Sequence, residues 1–133
     1  MNIVYPAAKQ LMLEAGLNWL TDPIYGILLD TRKYEVSLAH SSLADIDEGA
    51  FLVASSVMTG RTCEGGAADA DDLGFPSYTG APATALILVR DGGTALQSKL
   101  IAYMDTLNGL PFVPDGDSVI VEWDNGPARI FSL

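Results

Sequence analysis

Cysteine, histidine and positive charge are scarce in this chain: one Cys, one His and seven Lys or Arg among 133 residues. With Cys63 alone, no intrachain disulfide can form, and a reducing cytoplasm is the default site of synthesis. Cys63 lies in a glycine-rich stretch with no second cysteine or clear base, so an inert thiol is expected, with a bridge between subunits as the alternative. The single His40 is followed directly by Ser41 and Ser42, too close in the chain to serve as a base facing its nucleophile. His40 is therefore expected to hydrogen-bond its surroundings at a loop or strand end. The few cations form no basic patch, and 17 acidic residues bring the net charge to −10, a field that repels phosphate backbones and anionic lipid. Neither nucleic acid nor membrane is an expected partner.

Long apolar runs are also missing. No stretch approaches the roughly 20 residues needed to span a bilayer, and the opening MNIVYPAAKQLMLEAGLNWL has no basic n-region, so neither insertion nor secretion by signal peptide is expected. There is no GxGxxG, phosphate loop or CxxC pair. The expectation is a protein without cofactor and without catalytic residues.

What is present is ample apolar substance, 49% of residues, enough for a single domain over 1–133 with one core. In the N-terminal segment, residues 1–20, Ala8, Leu11, Met12, Ala15 and Trp19 recur at helical spacing behind Pro6. This predicts a short amphipathic helix from Pro6 to about Asn18. Beyond Asp22-Pro23 the period falls to two. Strands are predicted at Ile24 to Thr31, Phe51 to Thr59, Ala83 to Arg90, Lys99 to Met104, Ser118 to Asp124 and Ala128 to Leu133, with weaker ones at Tyr34 to Leu38 and Leu73 to Ser77. Without crossover helices these strands must pair antiparallel, which predicts a mainly β fold: a β-sandwich or jelly-roll-like barrel with one N-terminal helix. Gly60 to Gly74 and Leu107 to Ser118 read as loops.

Near the C-terminus, Asn125-Gly126 is a type I′ turn signal that predicts a hairpin. That register sets Glu122 opposite Arg129 and Ile120 opposite Phe131, and turns Val119, Val121, Trp123, Ala128 and Ile130 toward the core. Glu122 and Asp124 could form an acid–base pair, but the cross-strand cation and the turn account for them without chemistry. Asp69, Asp71 and Asp72 are weak metal candidates: closely spaced carboxylates suit calcium, yet the glycine and acidic positions of an EF-hand loop are missing. A solvated acidic turn is the favoured reading. Apolar residues in exposed-looking places, Leu11 on the helix and Leu110, Phe112 and Val113 in the Pro-rich loop, are candidate interface residues.

The stretches LNWLTDPIYGILLDT (17–31), ADADDLGF (68–75) and LIAYMDTLNGLPFVPDGDSVIVEWDNGPARIF (100–131), in this order, resemble a small family of tailed-bacteriophage virion proteins. The likeness covers most of the chain and is densest over its last third; Cys63 lies outside the family's pattern. It implies a structural protein with no catalytic residues to transfer, foremost a head decoration or cement protein on the capsid exterior, made in the host cytoplasm. Its implied partners are the major capsid protein lattice and copies of itself, with a trimer as the expected closed form. A neck or tail component is the alternative. A carbohydrate-binding β-sandwich on a virion appendage is another, with Trp19, Tyr25, Tyr34, Tyr78 and Tyr103 as available aromatics.

Overall fold

The computed structural model describes residues 1–123 and 129–133. Its elements run β1 (Asn2–Val4), α1 (Pro6–Leu13), β2 (Ile24–Leu29), β3 (Phe51–Ala54), β4 (Thr62–Glu64), β5 (Ala67–Asp69), β6 (Leu73–Phe75), β7 (Ala85–Arg90), β8 (Lys99–Met104), β9 (Val119–Val121) and β10 (Phe131–Ser132), with two short 3-10 turns before β3. The fold is mainly β, sandwich-like and antiparallel, with one helix near the N-terminus.

A five-stranded sheet in the order β1-β8-β7-β2-β3 forms the spine. Its central strands read IYGILL and ALILVR because both faces are buried, so apolar residues run on without polar alternation. On one face Ile24, Leu28, Leu86 and Leu88 meet Leu73 and Phe75 of β6, Val121 of β9, Trp123 just beyond it, and Ala68 of β5. On the other, Ile27, Leu29, Ile87 and Val89 meet Tyr5, Tyr34, Leu43, Ile46 and Ala50. A bulge between Leu88 and Val89 leaves Ile101 as the extra residue on β8, so Ile101 and Ala102 both reach the first cluster. Each fully buried Leu or Ile contributes about 1.5–3 kcal/mol, and this two-sided burial is the main source of stability.

The helix starts at Pro6 as expected but ends at Leu13 rather than near Asn18. Ala15 takes a left-handed φ of +60°, which ends the helical run and frees Trp19 to fold separately into the core. Tyr34 to Leu38 is not a strand; Tyr34 is buried through its hydroxyl contacts. The strand expected at Phe51 to Thr59 stops at Ala54, yet Ser55 and Met58 still donate backbone N–H groups to Gly26 and Ile24.

Two corrections concern pairing. The expected loop Gly60 to Gly74 contains the β4–β5 hairpin, turned by Gly65 and Gly66 at φ +59° and +82°, the positive values a type I′ turn requires. The expected Asn125-Gly126 turn lies outside the described residues, and the strands flanking it do not pair with each other. Leu73 opposes Val121 and Gly74 opposes Ile120, whereas Phe131 opposes Ala68. Glu122 therefore does not face Arg129, whose guanidinium lies 3.6 Å from the Asp69 carboxylate. Of the expected core face, Val121 and Trp123 are buried and Val119 and Ile130 pack against the same cluster, while Ala128, like Asp124 of the expected acid–base pair, lies outside the described residues.

Candidate binding groove and presenting loop

A groove of about 920 Å³ runs beside β1, lined by Asn2, Ile3 and Val4 of that strand, Pro6 and Lys9 of α1, and Ala102 and Met104 of β8. Leu38, Thr106 to Asn108, Glu122, Trp123 and the stretch from Arg129 to Ser132 complete it. As an edge strand β1 turns one row of backbone N–H and C=O groups away from β8. The lining is mixed, with Lys9, Glu122 and Arg129 beside the apolar residues, and the open strand edge is the feature that would suit an extended peptide.

The loop following β8 presents side chains from a pinned backbone. Phe112 and Ala83 exchange two backbone hydrogen bonds of 2.9 Å each, and the Tyr78 hydroxyl donates to the Phe112 carbonyl at 2.9 Å. Phe112 itself packs half-buried against the core, whereas the next residue, Val113, is 65% exposed. Of the four expected interface residues, Leu110, Phe112 and Val113 share this loop, Leu11 sits apart on α1, and only Val113 stands fully free. Leu11 and Phe112 owe their apolar character first to packing.

Two of the three acidic residues from β5 to β6, Asp69 and Asp71, are engaged structurally. The Asp69 carboxylate accepts from the Ala70 N–H at 2.9 Å and faces Arg129, and the Asp71 carboxylate accepts from the Thr59 hydroxyl at 3.0 Å. Among the described residues, no three His, Cys, Asp or Glu side chains come together as a metal site, so Asp69, Asp71 and Asp72 do not form a ligand cage. The β4–β5 hairpin and the turn after it anchor both tryptophans through backbone carbonyls: Trp19 Nε1 donates to Thr62 at 3.0 Å and Asp69 at 3.3 Å, and Trp123 Nε1 to Asp71 at 3.0 Å. Cys63 is exposed on β4.

The aromatics expected to be available for a sugar are mostly enclosed. Trp19, Tyr34, Tyr78 and Tyr103 are all buried, leaving Tyr25 partly exposed. Tyr5 and Tyr34 join hydroxyls at 2.9 Å, and the Tyr34 hydroxyl meets His40 Nδ1 at 2.8 Å, so His40 closes a buried hydrogen-bonded chain. Burial above all, and then the Asp105 carboxylate, pushes the Tyr103 hydroxyl up to about 12. This chain was not apparent from spacing, because Tyr5 and Tyr34 lie on segments that read as a helix start and a strand.

Two carboxylates are held below their ordinary range. Asp30 takes a paired contact from the Arg32 guanidinium and the Arg32 backbone N–H, and Asp45 accepts the Ser41 and Ser42 N–H groups at 2.7 and 3.1 Å. A lowered native value gives stability that is present above the unfolded value, about 3.9, and lost as pH falls through the lower native value. Thermal melts should therefore hold from neutrality to about pH 5 and decline below about pH 4. Asp30→Asn should flatten that decline; an identical acid slope in the variant would contradict the assignment.

Compared with known proteins, the chain matches no family model and no curated sequence.

Proposed function

We propose that this chain is a structural component of a tailed-phage particle, acting as a decoration or cement protein that docks on the outside of the capsid lattice. The observation that carries the reading is the presenting loop: Val113 is held 65% exposed while the adjacent Phe112 is fixed to Ala83 and Tyr78. An apolar tip on a pre-ordered backbone loses little conformational freedom on docking, which favours binding as its use. The formal charge of −10 suits an outward position over one facing packaged DNA. The stretches that resemble the phage family build β2, β5, β6, β8 and β9, so the likeness falls on the scaffold as well as on the loop.

The test mixes purified protein with undecorated capsids of the phage that encodes it and follows co-sedimentation. Saturable binding is expected, and Val113→Asp should weaken it about tenfold or more, since a desolvated apolar contact would become a buried charge. Absence of binding by normally folded protein overturns the reading. Gold-labelled protein on complete particles separates the lattice from the alternative neck or tail position. Sedimentation of the free protein tests the trimer that closed symmetry favours.

A further inference from the structure

Asn108 and Gly109 form the middle of a turn that the Leu110 N–H closes on the Leu107 carbonyl at 3.3 Å. Both residues are exposed, and Gly109 holds φ at +94°. The other described asparagines are engaged: Asn2 Oδ1 accepts from the Asp105 and Thr106 N–H groups, and Asn18 Oδ1 accepts from the Leu20 N–H at 2.9 Å. Among the described residues neither the Asn108 carboxamide nor the Gly109 N–H has a hydrogen-bond partner. The Asp-Gly steps differ again, because Asp91 accepts from the Gly93 N–H and Asp115 from the Asp117 N–H.

We propose that Asn108 is a site of spontaneous modification, in which the exposed Asn108-Gly109 turn converts through a succinimide to aspartyl and isoaspartyl products. The Gly109 backbone nitrogen attacks Asn108 Cγ, a C–N bond forms, the Cγ–Nδ2 bond breaks, and ammonia leaves with the proton from the Gly109 nitrogen. Water then opens the ring at either carbonyl: opening at Cγ gives aspartate, and opening at the main-chain carbonyl gives isoaspartate. No Cβ on Gly109 shields the attacking nitrogen, and no hydrogen bond must break to free either reactant. The product adds one negative charge to the formal −10. It places a second carboxylate, beside that of Glu122, among lining residues of the groove that also include Lys9 and Arg129. Age would thus alter the charge of the groove without changing the fold.

The test holds the folded full-length protein in mildly alkaline buffer beside the same protein unfolded in urea. Cleavage after glutamate, including Glu122, separates Asn108 from Asn125, and mass spectrometry resolves the two products. Native Asn108 is expected to convert within about tenfold of its rate in the unfolded chain, giving both isoaspartate and aspartate, while Asn2 and Asn18 stay intact. Conversion that needed global unfolding would be slower by the unfolding equilibrium, about a thousandfold or more, so this ratio decides whether the folded turn reacts. Intact Asn108 in the folded protein while the unfolded control converts overturns the proposal. So does a product that is aspartate alone, which would indicate direct hydrolysis.

Discussion

Gly26→Val is expected to lower the melting temperature by roughly 4–12 °C, or, where the strain exceeds that range, to prevent folding altogether. Gly26 lies in β2 where β6 crosses closest: a Cβ there would sit 2.7 Å from Leu73 Cδ2, 3.0 Å from Leu86 Cδ1 and 3.1 Å from Phe75 Cζ. Its backbone cannot retreat easily, because its N–H donates to the Ser55 hydroxyl at 2.9 Å and its carbonyl accepts from the Ser55 N–H at 2.8 Å. Valine adds two methyl groups beyond that Cβ in a layer whose neighbours Leu86 and Phe75 are fully buried. Overpacking of this kind costs about 1–3 kcal/mol and occasionally more, and at about 4 °C per kcal/mol the loss is plain in a circular-dichroism melt. Alanine should be milder, since the Leu73 side-chain tip can turn aside. An unchanged melt for the valine variant would mean that β6 does not pack on β2.

The strands that were legible in the sequence are those whose burial is dictated locally. Lys99–Met104 falls where its apolar run does, and Ile24–Leu29 and Ala85–Arg90 lie within their expected spans, because a strand enclosed on both faces must be apolar throughout. Pairing was less legible because it is decided by distant chain. Val121 and Ile130 turn inward as expected, but β9 pairs with Leu73 and β10 with Ala68 in place of each other, and Phe131, expected on the outer face with Ile120, packs against the core. The hairpin that does form between β4 and β5 carries a Gly-Gly signal, yet Ala67 and Ala68 have little strand propensity, and three acidic residues nearby gave the segment the composition of a loop. Asn2–Val4 escaped notice because three residues before a proline show no period. Its pairing with β8 also explains why the groove could not be foreseen: β1, α1, β8 and the C-terminal stretch are brought together only by the completed sheet. The exposure of Val113 in the Pro-rich loop was legible because it is apolar where nothing local buries it. That Phe112 is half-buried was not legible, because the cluster it packs against, which includes Ala83 and Tyr78, is far away in sequence.

Trp19→Ala is expected to lower the melting temperature by roughly 10–20 °C, the consequence of removing a buried indole worth about 3–5 kcal/mol. The ring is 7% exposed and meets Phe131 edge-on with centroids 5.3 Å apart, so it seals β10 against the core. Its Nε1–H reaches carbonyls on both strands of the β4–β5 hairpin, Thr62 and Asp69, and so ties the exposed β4 strand to the partly buried β5. Trp19→Phe separates the two contributions. It keeps an aromatic ring near Phe131 but leaves the two carbonyls without that donor, and its cost should be smaller, about 1–3 kcal/mol. The pair also discriminates between functions. A tryptophan serving as a sugar platform would sit in solvent, where substitution changes stability by no more than about 0.5 kcal/mol while abolishing glycan binding. A large loss of stability in the alanine variant, with a smaller loss in phenylalanine, places Trp19 in the scaffold and leaves the carbohydrate reading without its largest aromatic. An unchanged melt accompanied by lost glycan binding would return Trp19 to the surface and favour that reading over docking through Val113.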